Sequence, residues 1–67
     1  MSVAKVIELS ASSPKSFEDA IQQGVARANK TLKNVQGVWI KEQHVSLAKG
    51  KITGYRVNMM VTFVLDD

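Results

Sequence analysis

Sixty-seven residues without a cysteine, nine Lys and Arg against six Asp and Glu, and a net charge of +3 describe one small domain with neither disulfides nor a thiolate metal site to hold it. A chain of this size buries only about 60% of its unfolded surface and is marginal alone, which leaves self-assembly as the common remedy. No apolar run approaches the ~18 residues of a membrane span, Met1–Lys5 lacks a signal-peptide hydrophobic region, and the basic residues are spread over every segment rather than gathered on one face as nucleic-acid binding favours. The expectation is one soluble cytoplasmic domain over residues 1–67, with no nucleic-acid or membrane partner.

Val3 to Ser10 reads as a first strand, with Lys5, Ile7 and Leu9 on one face and Ala4, Val6 and Glu8 on the other. Ser13 then offers an N-cap and Pro14 suits a first helical position, where its missing N–H costs nothing. Phe17, Ala20, Ile21, Val25, Ala28 and Leu32 recur at helical spacing, so a helix of about 14–33, ~30 Å long, presents one stripe to a core. Gly24 lies beside that stripe, where the missing side chain admits a strand at a propensity cost of roughly 1 kcal/mol. Arg27, Lys30 and Lys33 follow one helix side at i, i+3, i+6, either as solvated cations suiting the C-terminal dipole or as an anion contact.

After Asn34 the period returns to two. A second strand runs from Val35 to Leu47, with Val38 and Ile40 on one face and Gly37, Trp39, Lys41 and Gln43 on the other. Ala48-Lys49-Gly50-Lys51 supplies a hairpin loop. The third strand, from about Ile52 to Leu65, places Tyr55, Val57, Met59, Val61, Phe63 and Leu65 on one face. Its other face, with Arg56, Asn58, Met60, Thr62 and Val64, is neither clean surface nor clean core, so a second copy of the chain is expected to cover it. Strand, helix, strand, strand with a right-handed crossover makes the first two strands parallel. Inserting the third between them gives an antiparallel three-stranded sheet, one face under the helix and one open.

Catalytic chemistry is thin. One histidine and no cysteine give no nucleophile relay, the acids lack metal-ligand spacing, and the four glycines are isolated rather than forming a phosphate loop. His44 is an exposed or interface imidazole, or else a ligand contact. Trp39, the one tryptophan, is expected to point out of the monomer if Val38 and Ile40 face the helix. An outward indole serves either subunit packing or stacking on a planar ligand, and Gly37 beside it makes room for either.

Lys5-Val6-Ile7-Glu8-Leu9, the small residues before Pro14, Ala28-Asn29-Lys30-Thr31-Leu32-Lys33-Asn34-Val35 and the closing Tyr55-Arg56-Val57 and Val61-Thr62-Phe63-Val64-Leu65 together resemble the dodecins across essentially the whole chain. The resemblance implies an α+β fold, β-α-β-β, whose sheet wraps one helix, assembled as a hollow homododecamer. It also implies non-catalytic binding or storage of flavin (riboflavin or FMN) at subunit contacts, with coenzyme A a second ligand in some members. Carried over, the family's stacking tryptophan aligns with Gly37, and Trp39 falls two residues on, the same face displaced by ~6.6 Å. The family's ring-contacting glutamine aligns with Arg56, which donates to a carbonyl but cannot accept from a ring N–H. An arginine of flavin-binding bacterial members aligns with His44. The implied flavin set is therefore Trp39, Arg56, Gly37, Gln36 and His44, and the implied coenzyme A phosphate set is Arg27, Thr31 and Lys33. The alternatives are a structural shell anchored by Trp39 without flavin, or a cation held on a symmetry axis by carboxylates of several copies.

Overall fold

Alternation of side chains sets three strands, and the computed structural model, which describes residues 3–65, joins them in the expected β-α-β-β order: β1 (Val3–Ser13), α1 (Phe17–Thr31), β2 (Val35–Ala48) and β3 (Lys51–Leu65). β3 lies between β1 and β2 and pairs antiparallel with both. The most apolar strand is thus central, where its backbone donors and acceptors are satisfied on both sides. Val57, Met59 and Val61 on its helix-facing side are fully buried and close on Ala20 and Ala28 of α1. Ile7, Leu9 and Ala11 of β1, Val35 and Val38 of β2, and Phe17, Ile21 and Leu32 pack around them. Gly24 is what lets helix and sheet come this close: a Cβ there would stand 2.7 Å from the Met59 Cε and 3.3 Å from the Ala11 Cβ.

The helix is shorter than its apolar stripe predicts. Its N-cap is Ser16, not Ser13, with the Ser16 hydroxyl accepting from the Asp19 backbone N–H at 3.0 Å. The Ser16 hydroxyl satisfies the free N–H at the third helical position, while the Asp19 carboxylate turns to the Ser13 hydroxyl and the Gln23 amide rather than back to the Ser16 N–H. Ser13 ends β1 instead. Its buried hydroxyl accepts from the Lys15 backbone N–H at 2.9 Å and donates to Asp19 Oδ2, so Pro14 sits in a serine-closed turn ahead of the helix. At the other end Leu32 turns extended (φ −115°, ψ 144°) while its N–H still bonds the Ala28 carbonyl at 2.9 Å. Asn34 takes a left-handed φ of 60°, a conformation asparagine tolerates better than most, and its backbone joins β3 through the Val64 N–H at 3.1 Å. Lys33 therefore lies past the helix, and the expected basic stripe ends at Lys30.

The hairpin turns on Lys49 and Gly50 alone, since Ala48 pairs with Lys51. Both turn residues have positive φ, 52° and 76°, the handedness that matches strand twist in two-residue turns.

Candidate functional site

Cross-strand partners share a face, so the register maps the sheet side away from α1 as a stack of rows. Val6, Thr62 and Gly37 form one; Glu8, Met60 and Trp39 the next; then Ser10, Asn58 and Glu42; then Ser12, Arg56 and His44. Trp39 is half exposed at 52%, on the open side as its alternation required. Gly37 is on the same side two residues away, with nothing within 4 Å of where its Cβ would be.

Two expectations about β2 change. The ladder has an extra residue between Ile40 and Glu42, and this bulge at Lys41 inverts the alternation beyond it. Gln43 pairs with buried Val57 on the helix side, and does not share the face of Trp39. Lys41, outside the alternation, reaches across the sheet to Glu8, Nζ to Oε1 3.1 Å. Ile40 does face the helix side, opposite Met59, but lies beyond the cover of α1 and stays 37% exposed.

The open face brings together Trp39, Gly37, Arg56 and His44 from the expected flavin set. Gln36 stands apart, in a second bulge between Val35 and Gly37. Trp39 and Arg56 are not neighbours: their rows are four residues apart on β3, ~13 Å at the strand rise. Between them lies a pair that alternation alone could not place, Asn58 Nδ2 donating to Glu42 Oε1 at 2.9 Å. Glu42 was hidden because the sequence marks no bulge at Lys41. The consequence is chemical. Arg56 cannot accept from a ring N–H, but the Glu42 carboxylate and the Asn58 carbonyl can, and the Asn58 amide can donate.

Arg56 is held by its Nε, which donates to the Ser12 Oγ at 3.2 Å. Among the described residues its guanidinium is in no ion pair. The remaining open-face charges are spoken for, Glu8 by Lys41 and Glu42 by Asn58.

The coenzyme A set disperses. Arg27 helps line a groove of about 210 Å³ between α1 and the outer edge of β1, with Gln23, Gly24 and residues Leu9 to Ser12. Thr31 is the exposed last residue of α1, and Lys33 belongs to the connection after it. No three His, Asp or Glu side chains among the described residues cluster as a metal site would need, and no described helix is long and apolar enough to cross a membrane.

Comparison with known proteins places this geometry. The Dodecin family description matches residues 3–66. A calcium dodecin of Mycobacterium tuberculosis is 38% identical over 64 residues, 94% of this chain and 89% of that protein. A dodecin of Thermus thermophilus is 34% identical over 65 residues, 97% and 94% of the two chains. A crystal structure of an arginine-to-alanine mutant of a Thermus thermophilus dodecin superposes with a TM-score of 0.94 at 33% identity, covering all of both chains.

Proposed function

The chain belongs to the dodecin family, and from that premise we propose that it is a non-catalytic homododecameric binding and storage protein for flavin, riboflavin or FMN, in the cytoplasm. The observation that carries this reading is the row structure of the open sheet face. A half-exposed indole lies opposite Met60, a side-chain-free position flanks it, and a donor and acceptor pair occupies the next row. An aromatic ring stacked on Trp39 would bury indole and thioether surface together. Gly37 leaves space where a side chain would crowd the ring, and the Asn58–Glu42 pair meets the ring's polar edge. Arg56 is then not the ring contact that its aligned position suggests.

Flavin fluorescence tests this. Titration with the protein is expected to quench flavin emission nearly completely, and Trp39→Ala to abolish most of that quenching. Unchanged quenching in the variant would rule out Trp39 as the platform.

The exposure of Trp39 also suits a second reading, a shell in which the indole anchors a neighbouring copy and no flavin binds. There Trp39→Ala would release the assembly or lower its melting temperature, since losing a buried tryptophan costs about 3–5 kcal/mol. Coenzyme A would need Arg27 in its groove combined with cations of other copies, because Thr31 and Lys33 stand apart from that groove. The relative named a calcium dodecin keeps a cation in view as well. Here it would require carboxylates from several copies meeting on an axis.

A further inference from the structure

Met59 and Met60 are consecutive, and the strand period sends them to opposite faces of β3. Met59 is fully buried under α1, where its Cε lies close beneath Gly24. Met60 is partly exposed on the open face, in the row between Glu8 of β1 and Trp39 of β2. Residues directly opposite in such a ladder have Cβ atoms about 5 Å apart, so thioether and indole form one apolar surface, with Trp39 half exposed. Glu8, on the other side of Met60, is engaged by Lys41. Oxidation turns a thioether from a flexible apolar group into a polar, chiral one. Two side chains of the same chemistry therefore stand one residue apart, one closed to small oxidants and one open to them beside the indole.

We propose that Met60 is a methionine-oxidation site that loosens the Trp39 platform. Hydrogen peroxide transfers one oxygen atom to the Met60 sulfur. An S–O bond forms, the O–O bond breaks, sulfur is oxidised by two electrons, and the peroxide leaves as water. The sulfoxide dipole needs water or a donor, and it stands where a stacked ring would take the polarisable surface of the thioether. Two thiols reverse the step, ending as a disulfide while the oxygen departs as water, and the platform is restored. The loss of ring affinity rests on the reading of Trp39 as the flavin platform, whereas the oxidation and its effect on the indole do not.

The test exposes the purified wild-type protein and Met60→Leu to hydrogen peroxide without flavin. Cleavage after Arg56 releases residues 57–67 with both methionines on one peptide, and fragment masses assign the added oxygen. Met60 is expected to oxidise at least about tenfold faster than Met59, which reacts only when the core opens. Trp39 is the one tryptophan, so its emission reports on Met60 directly. That emission should shift in treated wild type and stay constant in treated Met60→Leu. Flavin affinity, measured afterwards by quenching, should fall about twofold to tenfold in oxidised wild type, the scale of a sulfur–aromatic contact, and hold in the variant. Leucine conserves the volume of the side chain, and circular dichroism melts check the fold. Equal oxidation of the two methionines, or a Met60 that stays reduced, overturns the site. So does a Met60 sulfoxide that leaves Trp39 emission or flavin affinity unchanged. If untreated wild type binds no flavin, the flavin reading fails, and the peptide masses and Trp39 emission still decide the oxidation site.

Discussion

Asp19 gathers more of the chain's local order than its position suggests. Its carboxylate accepts from the Ser13 hydroxyl and from the Gln23 amide at 2.7 Å, while its backbone N–H caps onto Ser16. The Ser13 bond, then the Gln23 bond, hold its pKa below the ordinary aspartate range. Desolvation opposes them weakly, and the Lys15 charge helps. A folded-state pKa lower than the unfolded one contributes stability that is present above about pH 4 and lost as pH falls through the depressed value. Thermal melts of wild type and Asp19→Asn are therefore expected to differ at neutral pH and to converge as the pH is lowered toward about 2. A constant gap across that range would show that the charge is not what matters. Ser13 was read as the helix cap, whereas it closes β1. The cap that outranks it is Ser16, one of four serines within seven residues, and composition cannot rank them. Gly24 is the other residue whose role is steric. Replacing it with alanine gains about 1 kcal/mol of helix propensity, but presses on Met59 and on the less yielding Ala11, and overpacking costs about 1–3 kcal/mol. A net destabilisation of about 1 kcal/mol in urea unfolding is expected.

At the scale of elements, β3 carries the fold. Among the described residues it is the only strand paired on both sides, and its buried alternates are the largest fully buried side chains. Met59→Ala is expected to cost about 2–5 kcal/mol, measured by denaturant midpoint, with Val57→Ala and Val61→Ala somewhat less. This strand was the clearest feature of the sequence because its period of two runs unbroken from Tyr55 to Leu65. β2 was legible only as far as Ile40. Its bulges arise from pairing with β3 rather than from local propensity, so alternation counted outward from Trp39 put Gln43 on the wrong face and left Glu42 out of the candidate site. The helix start moved by three residues because Pro14 suits a turn as well as a helical first position.

For the whole molecule, shape is the informative quantity. The Cα radius of gyration is 13.9 Å over extents of 51 × 19 × 13 Å, against about 11 Å for a compact chain of this length. The accessible surface is 4921 Å², where roughly 4,200 Å² is usual for this mass. The excess lies in the β2–β3 hairpin, which runs past the N-terminal end of α1, where Phe17 packs edge-on against Tyr55. Along its helix side Ile40, Val45, Leu47 and Ile52 remain uncovered, Leu47 at 62% and Ile52 at 52%. In the dodecamer proposed above, these residues are expected to meet neighbouring copies. The double variant Leu47→Ser, Ile52→Ser is expected to shift native mass spectra from twelve chains toward smaller species. Retention of the full assembly would place the contacts elsewhere. Length and the absence of cysteine raised the expectation of assembly, whereas the overhang appears only when the helix is seen to start at Phe17, against Tyr55, with the hairpin running on to Lys49 and Gly50.

The three places where the β2–β3 ladder skips also say where the gene can lose a codon. Gln36 and Lys41 on β2 and Thr53 on β3 each stand between residues whose partners are adjacent or already matched. Removing one of them would regularise the ladder without turning any later side chain over, whereas deleting a neighbour within a regular stretch would flip every residue beyond it. Length variation inside this hairpin should therefore be confined to those three positions. A library of single-codon deletions scored for soluble expression would show three tolerated gaps in otherwise intolerant strands. The gap at Lys41 would also remove the Glu8 ion pair, leaving the Trp39 and Arg56 rows where they are.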